Sequence, residues 1–321
     1  MRQSMKAMVY DRYGGPDVLR LAEVPVPEPG PGQLLVQVVA TSLNLSDWET
    51  LVGSPAYARI GGLRSPARPV LGSDIAGRVV AVGADVFGFA AGDEVYADNL
   101  GLKGGFAEYA LVPAKDAAPK PAALSFVDAS TIPQAGPIAW QGVDGAAPGR
   151  RVLINGAGGG SGMFAIQLAK HAGAHVTAVD NERKLDHMRS LGADVVVDYR
   201  VDDFTRGEPH DLILDLVARR SVFAYRRALA RGGRYRVVGG TTRTLIRVLT
   251  VGTVVGRLTG RRLGVLGVRP GPDRFAPVAE QVISGDLTVH VDETFTLEEA
   301  PAALAAVGEG RIRGKAVVVL A

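Results

Sequence analysis

The sequence predicts an α/β protein of two domains, a small domain of antiparallel strands and a second domain built on a doubly wound parallel sheet. Three observations support this expectation. Short alternating apolar runs separated by glycine- and proline-rich turns fill residues 1–120. From Ser125 onward, helical and strand patterns alternate with short connections, as in a parallel sheet covered by helices. A glycine-rich turn joins an apolar strand to a helix at Gly156, where such a sheet binds its ligand.

The β-domain is expected over residues 1–120, completed by residues 286–321. Its strands are best seen in the runs LLVQVVA, AGRVVAVG and FAEYALV, and turn signals lie between them at PEPGPG and AAGDEV. This arrangement is typical of a small barrel-like β-domain. The tail returns to strand character in HVDETF and KAVVVLA, on either side of a short predicted helix. The parallel-sheet domain is assigned to residues 121–285, with LGVLGV as its last strand.

The segment from Val152 to Gly173, VLINGAGGGSGMFAIQLAKHAG, reads as a buried strand, a tight turn and a helix. Dinucleotide-binding turns need glycine for the turn itself, for close approach of the backbone to a pyrophosphate and for packing of helix on sheet. Here alanine replaces the usual first glycine of the GxGxxG pattern. A glycine-rich loop between unrelated elements is the alternative interpretation. The predicted pyrophosphate-binding residues are Gly156, Ala157, Gly159, Gly160, Ser161 and Gly162.

The next predicted strand, HVTAVD, ends at Asp180, about twenty residues beyond the glycines. A carboxylate at this place accepts hydrogen bonds from the adenosine ribose and favours NAD. Asn181 and Lys184 follow at once, and polar or cationic groups there favour the 2′-phosphate of NADP instead. The sequence therefore predicts a nicotinamide dinucleotide and leaves NADH or NADPH open. Gly239, at the end of the strand YRVVGG, is expected to let the backbone approach the nicotinamide, although an ordinary turn explains it equally well.

The composition is that of an ordinary globular enzyme, with 47% hydrophobic and 21% charged residues in a chain of 321. The absence of cysteine excludes disulfides, thiolate catalysis and cysteine-bound metal. No apolar run reaches the roughly 18 residues that a membrane-spanning helix needs, and Met1 to Lys6 lacks the apolar core of a signal peptide. A cytoplasmic protein is expected.

Charge is unevenly distributed despite a net charge of only +3. Thirteen arginines lie between Arg219 and Arg269, and no Asp or Glu occurs from Leu216 to Pro272. If TRTLIRVLTVGTVVGRLTGRR is one helix, its arginines form a stripe at about 100° per residue. An acidic or phosphorylated substrate, such as a coenzyme A or carrier-protein thioester, or an anionic lipid would bind such a surface, and a solvated arginine-rich face is the alternative. The arginines of that stripe are Arg243, Arg247, Arg257 and Arg261. Nucleic-acid binding is not expected, because aromatic residues make up only 6% of the chain.

Several blocks in this order resemble the medium-chain dehydrogenase/reductase superfamily, in its zinc-free quinone oxidoreductase-like and enoyl reductase-like branch. The resemblance covers nearly the whole chain. It depends on the blocks KAMVYDRYGGPDVLRLAEVPVPEPGPGQLLVQVVATSLNLSDW, PVLGSDIAGRVVAVGADVFGFAAGDEVYA, GGFAEYALVP, RSLGADVVVDY and GKAVVV.

The resemblance implies a GroES-like catalytic domain made from both chain ends, a Rossmann domain between them and an active site in the cleft. It also implies a homodimer joined through the edge strand LGVLGV. Zinc-dependent members of the superfamily carry a catalytic cysteine and a glycine-histidine-glutamate block. In this sequence Asn44 stands near the cysteine position and Ser73-Asp74 replaces histidine-glutamate, so catalytic zinc is not expected.

The same resemblance implies site residues. Asn44 and Asp47 match the NxxD pattern that lines the nicotinamide pocket, and Asn44 alternatively caps the following helix. Tyr57 lies close to where some enoyl reductases place a proton-donating tyrosine, unless it is a packing or surface residue. Lys184 matches a lysine that contacts the 2′-phosphate in NADPH-using relatives, and Tyr199 matches an adenosine-side tyrosine.

Three functional hypotheses follow. The first is an NAD(P)H-dependent, zinc-independent reductase of a quinone or an α,β-unsaturated carbonyl compound, since hydride delivery to an activated acceptor needs no Lewis acid. The second is alcohol–carbonyl interconversion or reduction of a biosynthetic intermediate. The third is a cofactor-binding protein without catalysis. Activity towards an enone or a quinone but not towards simple aldehydes separates the first hypothesis from the second.

Overall fold

The computed structural model describes residues 3–60 and 62–320. Ala321, the last residue of the predicted strand KAVVVLA, lies outside the described residues, as do Met1 and Arg2 of the segment inspected for a signal peptide. The described chain divides into two compact units. The first takes the described residues of Met1–Gly136, Pro270–Gly285 and Val289–Ala321, and the second takes Pro137–Arg269 and Asp286–Thr288.

The helices and strands follow the predicted alternation. The helices are α1 (Leu45–Val52), α2 (Phe126–Ser130), α3 (Ala135–Gly142), α4 (Gly160–His171), α5 (Leu185–Ser190), α6 (Val222–Ala228), α7 (Thr242–Arg247), α8 (Thr253–Thr259), α9 (Pro272–Ser284) and α10 (Ala300–Gly308). The strands are β1 (Ser4–Val9), β2 (Arg20–Pro25), β3 (Gln33–Ser42), β4 (Asp74–Val82), β5 (Glu94–Asp98), β6 (Tyr109–Pro113), β7 (Ala117–Pro119), β8 (Arg151–Asn155), β9 (His175–Asp180), β10 (Val195–Asp198), β11 (His210–Asp215), β12 (Leu229–Val237), β13 (Arg262–Val265), β14 (Val291–Phe295) and β15 (Lys315–Val319).

The first unit is built on a sheet with the strand order β14-β15-β3-β4-β5-β7, in which β6 also pairs with β3. Most neighbours are antiparallel, as the alternating runs predict, but β14 and β15 are parallel. Strand β15 pairs with β3, so the C-terminal residues complete this unit as expected. Cross-strand pairing aligns Ser42 of β3, Asp74 of β4 and Asp98 of β5 in one row. That row brings polar side chains from distant parts of the sequence into contact.

The second unit is a six-stranded parallel sheet with the order β10-β9-β8-β11-β12-β13. Counted from β8, this is the order 3-2-1-4-5-6 of a dinucleotide-binding sheet, whose ligand lies where the order reverses, beside its first strand. The strand β8 has a fully apolar centre, since Val152, Leu153 and Ile154 are completely buried. The sequence pattern and the sheet order therefore both indicate that a ligand binds at the end of β8, where the strand order reverses.

The unit boundaries differ from those expected. The first unit includes residues 121–136 and the helix α9, which the sequence analysis assigned to the parallel-sheet domain. In α9, Phe275 packs edge to face on Tyr96 of β5, with ring centroids 4.7 Å apart. This contact depends on side-chain complementarity between distant segments, and an alternating helix-strand pattern does not reveal it.

The expected arginine stripe is shorter than predicted. Residues 242–259 are helical, as α7, a π-helical turn at Val248–Gly252 and α8, but the helix ends at Gly260, which is left-handed with φ +64°. Arg261 therefore lies beyond the helix, and its guanidinium donates to the carbonyls of Leu229 and Thr259. The prediction that Arg261 continues the stripe is wrong, because a glycine C-cap ends the helix before it.

Candidate functional site

The glycine turn lies at the carboxyl end of β8, as predicted. The backbone N–H groups of Gly156 and Ala157 both donate to the Val179 carbonyl, at 2.9 and 3.1 Å, which ties the turn to the neighbouring strand β9. Gly156 has φ +84°, a conformation that only glycine adopts readily. A Cβ on Gly162 would lie 2.5 Å from Ala157 Cα, so glycine is required where α4 crosses the turn. Backbone geometry therefore explains why the turn requires glycine at Gly156 and at Gly162.

The outer side of the turn is open. A Cβ on Gly159 would have a single neighbour among the described atoms, the Gly156 carbonyl oxygen at 3.7 Å. Helix α4 begins at Gly160, so the N–H groups of Gly160, Ser161 and Gly162 belong to its first turn and have no intrahelical acceptor. Such N–H groups and the positive end of the helix dipole bind phosphate. The turn therefore fits a dinucleotide pyrophosphate.

Asp180 lies at the end of β9, as predicted, but its carboxylate holds the glycine turn. Its Oδ2 accepts the Gly158 backbone N–H at 3.0 Å and lies 3.7 Å from Lys184 Nζ. Its Oδ1 accepts the backbone N–H of Asn181 at 2.8 Å and the side-chain amide of the same residue at 3.0 Å. Both Asp180 and Lys184 are buried. The predicted adenosine-side residues thus form one cluster with the turn.

Tyr199 and Gly239 lie at the same edge of the parallel sheet. The Tyr199 backbone N–H donates to the Asp180 carbonyl at 3.2 Å, and the Tyr199 side chain is 37% exposed. Gly239 follows β12 and has φ +74°, a turn conformation that favours glycine. Beneath the turn, Asn155 donates to the buried Asp215 carboxylate at 2.7 Å. This network fixes the ends of β8 and β11 on either side of the point where the strand order reverses.

The first unit holds a buried polar cluster around Asn44. Asn44 precedes α1, and its backbone N–H donates to Asp47 Oδ2 at 3.1 Å, so Asp47 helps to cap the helix. The Asn44 side-chain amide points into the cluster and donates to Asp74 Oδ2 at 2.9 Å and to Ser73 Oγ at 3.3 Å. Asn44 is the N-cap residue of α1, as one reading predicted, and its place in the nicotinamide pocket stays a prediction.

Two lysines lie inside this cluster. Lys315 Nζ donates to Asn44 Oδ1 at 2.7 Å and lies 3.4 Å from Asp74 Oδ2. Lys103 Nζ lies 3.5 Å from Asp47 Oδ1. Burial lowers the pKa of Lys315, and the Asp74 carboxylate opposes that shift. Desolvation raises the pKa of Asp74 to about 6, and the charge of the nearby Lys315 ammonium opposes this rise. The cluster therefore balances two buried carboxylates with two buried ammonium groups.

The chemistry of this cluster does not fit zinc. Zinc in proteins is bound by cysteine, histidine and carboxylate, whereas this cluster offers amide, hydroxyl and carboxylate groups. The Lys103 and Lys315 ammonium groups lie beside the carboxylates and repel a cation. Among residues 3–60 and 62–320, no group of three or more metal-ligating side chains is suitable for a metal ion.

Asp98 lies beside the cluster and carries a raised pKa. Burial is the main cause, and the charge of Asp74, its partner in the β4–β5 pairing, adds to it, so the pKa of Asp98 reaches about 7. A carboxyl group whose pKa is higher in the folded than in the unfolded state binds more protons when folded. The stability contributed by Asp98 is therefore present at acid pH and lost as the pH rises to 7.

We expect Asp98→Asn to change this pH dependence. The variant, compared with the wild type, gains stability at pH 8 relative to pH 5, since the amide keeps one acceptor oxygen and cannot ionise. Thermal unfolding at the two pH values measures the effect. Asp11→Asn, at an exposed position, serves as the control and leaves the difference unchanged. An Asp98→Asn variant with the pH dependence of the wild type would rule out this assignment.

The Tyr57 side chain contacts helix α1. It belongs to a 3₁₀ turn at Ala56–Arg59, and its hydroxyl lies 3.4 Å from Glu49 Oε2 of α1. Burial raises the pKa of Glu49 to about 7 and the pKa of Tyr57 to about 12, the second with a contribution from the Glu49 charge. The pair is half-buried, and burial favours the protonated form of both groups.

Sequence reasoning did not assign a role to Lys315, Lys103 or Ser42. Lys315 belongs to the block GKAVVV, and the sequence shows it only as a lysine at the start of an apolar strand. Ser42 Oγ donates to the Ser130 carbonyl at 2.8 Å and lies 3.2 Å from Asp74 Oδ2, which a β-strand pattern does not disclose. Ser42 and Lys315 meet Asp74 because β3, β4 and β15 are neighbours in the sheet. Lys103 approaches Asp47 from the loop between β5 and β6.

Helices of the described residues are all too short or too polar to cross a membrane. Two family models match the chain. The model described as alcohol dehydrogenase GroES-like domain matches residues 30–122, and the model described as zinc-binding dehydrogenase matches residues 191–318. The second name concerns the family, and the donor chemistry described above does not provide the zinc site that it suggests.

Several known proteins match the chain, and two of the three described here match over nearly its full length. A chloroplastic quinone oxidoreductase, QR1, of Triphysaria versicolor is 32% identical over 332 residues, covering 98% of each chain. A 2-methylene-furan-3-one reductase of Solanum lycopersicum is 40% identical over 212 residues, covering 62% of this chain and 53% of the relative. The structure of a quinone oxidoreductase from Coxiella burnetii superposes with a TM-score of 0.88 at 31% identity, covering 99% of this chain and 100% of that one.

The predicted fold class is confirmed, since the GroES-like family model matches residues 30–122, the second unit has a Rossmann-type parallel sheet, and the solved quinone oxidoreductase superposes over 99% of this chain. The matches cover both units and include full-length relatives above 30% identity. The chain belongs to the medium-chain dehydrogenase/reductase superfamily, in its quinone oxidoreductase-like branch.

Proposed function

We propose that the protein transfers a hydride from NADH or NADPH to an activated acceptor, a quinone or an α,β-unsaturated carbonyl compound, without a metal ion. The observation that carries the cofactor assignment is the glycine turn, which leaves space beside Gly159 at the N-terminus of α4. The acceptor class is supported by the names of similar proteins, which include quinone oxidoreductases and an enone reductase.

The parallel-sheet unit is proposed to bind the dinucleotide. Gly159, Gly160, Ser161 and Gly162 bind the pyrophosphate through backbone N–H groups, while Asp180 and Lys184 hold the turn from behind. When bound, the reduced nicotinamide supplies the hydride. Asn181 and Tyr199 lie at the adenosine end, and Gly239 permits close approach at the other end of the sheet edge.

In the first unit, Asn44 and Asp47 are proposed to shape the acceptor pocket. The two amide hydrogens of Asn44 already point to Asp74 and Ser73, so Asn44 positions the pocket wall and does not donate to the acceptor. Lys315 fixes the orientation of this amide by donating to its oxygen. We therefore assign Asn44, Asp47 and Lys315 as positioning residues.

Tyr57 is proposed as the proton donor. Hydride addition to the β-carbon of an enone moves the electron pair of the carbon–carbon double bond towards the carbonyl oxygen, and a proton must then be supplied. The neutral Tyr57 hydroxyl supplies it, and Glu49, with a pKa of about 7, returns a proton to the tyrosine.

Isotope transfer tests the reaction. An enone is incubated with a nicotinamide cofactor that carries deuterium on the transferred position of C4, and the product is analysed by mass spectrometry and NMR. The proposal requires deuterium on the former β-carbon and a solvent-derived proton on the α-carbon. Deuterium at the carbonyl carbon would contradict it and support alcohol–carbonyl interconversion instead.

The choice between NADH and NADPH is proposed to depend on Asp180. Asp180→Asn keeps a side-chain acceptor for the Gly158 N–H and removes the charge that repels a 2′-phosphate. We expect the kcat/KM ratio of NADPH to NADH to rise about tenfold, equivalent to about 1.4 kcal/mol. Asp202→Asn removes the same charge from an exposed position nearby and serves as the control. An unchanged kcat/KM ratio of NADPH to NADH in Asp180→Asn would show that Asp180 does not determine the choice of cofactor.

A homodimer and a cytoplasmic location remain predictions. The dimer is supported by β13, which ends the parallel sheet and pairs only with β12 among the described strands. An unpaired strand edge offers backbone hydrogen-bonding groups to a second copy. Light scattering should give a mass of twice 33.6 kDa, and a mass of 33.6 kDa would contradict the dimer.

A further inference from the structure

A buried carboxylate lies at the carboxyl end of β11, the strand between β8 and β12 in the parallel sheet. Asp215 is completely buried, and sheet pairing aligns it with Asn155 of β8 and Val237 of β12. Its Oδ1 accepts the Asn155 side-chain amide at 2.7 Å, and its Oδ2 accepts the Tyr235 hydroxyl at 2.8 Å. Burial raises the pKa of Tyr235, so this hydroxyl stays protonated and donates. Asp215 is thereby fixed from both neighbouring strands.

The same carboxylate holds the loop that follows β11. Its Oδ1 also accepts the backbone N–H groups of Val217 at 3.1 Å and of Ala218 at 2.9 Å. Ala218 has φ +60°, a left-handed conformation that costs free energy in a residue with a Cβ. Alanine has no polar side chain that offsets this cost by a local hydrogen bond, as Asn or Asp does. The hydrogen bonds to Asp215 therefore hold a strained residue in place.

The strained loop, residues 216–218, which we call the β11 loop, lies between two turns of the proposed cofactor site. On one side, a Cβ on Gly156 would lie 2.9 Å from Val217 Cγ2, so the loop contacts the glycine turn. On the other side, a Cβ on Gly240 would lie 2.7 Å from Ala218 Cβ, so the loop packs on the turn after β12. The Val217 side chain is exposed and therefore accessible to a ligand at this edge of the sheet.

We propose that Asp215 and Ala218 are positioning residues for the dinucleotide, which hold the β11 loop in the conformation that the bound cofactor needs. This inference rests on the proposed function. A loop that is ordered before binding loses less conformational entropy when the ligand arrives, so the affinity is higher. The Ala218 methyl group is part of the support, because it lies against Gly240.

A purely structural role for these residues predicts a different result. If the strain at Ala218 has no connection with the cofactor, relieving it stabilises the fold and leaves cofactor affinity unchanged. If the β11 loop is preorganised for the cofactor, relieving the strain stabilises the fold and weakens binding. Stability and affinity therefore move in opposite directions only under the proposal.

Ala218→Gly in the full-length chain tests the proposal. Glycine adopts a φ near +60° freely, so the unfolding temperature should rise by about 2–4 °C. Without the methyl group the β11 loop gains freedom, and the dissociation constants of NADPH and NADH, measured by fluorescence titration, should rise about three- to tenfold. A raised unfolding temperature with wild-type affinity for both dinucleotides would overturn the proposal. A lowered unfolding temperature with weaker binding would overturn it too, since the methyl group would then be ordinary core packing.

Asp85→Gly is the matched control. Asp85 also has φ +60°, but it lies at an exposed turn of the first unit. The substitution relieves the same kind of backbone strain far along the chain from the β11 loop, so we expect wild-type affinity for both dinucleotides. A loss of affinity equal to that of Ala218→Gly would show that the effect is not specific to the β11 loop, and would contradict the proposal.

The anchoring carboxylate is tested separately. Asp215→Asn keeps an acceptor oxygen for the N–H groups of the β11 loop, whereas Asp215→Ala removes it. We expect the asparagine variant to bind the dinucleotides within about threefold of the wild type, and the alanine variant to bind at least about tenfold more weakly. Wild-type affinity in a folded Asp215→Ala variant would rule out the anchor. If that variant does not fold, Ala218→Gly still decides the question.

The same titrations separate this inference from the proposed function. A wild type that binds neither NADPH nor NADH would contradict the proposed function, and the inference with it. A wild type that binds them, with unchanged affinity in Ala218→Gly, would contradict the inference alone. Circular dichroism and the unfolding temperature show which variants are folded at the temperature of the titration.

Discussion

Lys315→Met lowers the free energy of unfolding by about 3–5 kcal/mol, the usual cost of leaving a buried charge without its partner. Asp74 is completely buried, and its Oδ2 lies 3.4 Å from the lysine ammonium. Its Oδ1 has no hydrogen-bond partner in the described part of the chain, and without Lys315 its Oδ2 keeps only the neutral donors Asn44 and Ser42. Urea unfolding at pH 8 measures the loss.

The double variant Lys315→Met/Asp74→Asn is the control for this prediction. It removes both charges, so its loss should be clearly smaller than the sum of the two single losses. The loss from Lys315→Met alone should also shrink at pH 5, because a pKa of about 6 leaves the Asp74 carboxyl largely protonated there and in less need of a cation. Additive losses and no pH dependence would show that the two side chains are not coupled.

Gly162→Ala is expected to weaken cofactor binding by about tenfold to a hundredfold, equivalent to about 1.4–2.8 kcal/mol. The new methyl group would overlap the backbone of Ala157 in the glycine turn, and backbone atoms cannot move aside as a flexible side chain can. The overlap also costs stability, by about 1–3 kcal/mol. Fluorescence titration with NADPH and NADH, together with thermal unfolding, measures both effects.

Gly159→Ala separates binding from folding at the same turn. Gly159 has φ −97°, which alanine adopts, and among the described residues other than its chain neighbours the nearest atom to the added methyl group is the Gly156 oxygen at 3.7 Å. We expect wild-type stability with weaker cofactor binding, since the methyl group stands on the open side of the turn. Wild-type affinity in Gly159→Ala would place the pyrophosphate elsewhere.

The glycine turn could be predicted because its signals are local. A buried strand, a glycine turn and a helix are adjacent in the sequence, and each glycine requirement follows from backbone geometry at Gly156 or Gly162. The position of Asp180 followed from the same spacing. Its contacts did not, because only the folded turn shows that the Gly158 N–H and the Lys184 ammonium both reach the carboxylate.

The polar cluster in the first unit could be predicted only in part. Asn44 and Asp47 are close in sequence, and the NxxD resemblance singled them out. Lys315 is 271 residues from Asn44 and meets it through the pairing of β15 with β3. Charge balance inside a sheet depends on such long-range pairing. The same limit explains why the sequence did not place α9 in the first unit. Its contact with β5 joins segments that are far apart in the sequence.

The initial rate of NADH and NADPH oxidation with a quinone, a conjugated enone and a simple aldehyde, with and without a strong chelator, tests the central claim most directly. We predict turnover of the quinone or the enone at the same rate in chelator, and none of the aldehyde. Aldehyde turnover that the chelator abolishes would contradict metal-independent hydride transfer to an activated acceptor.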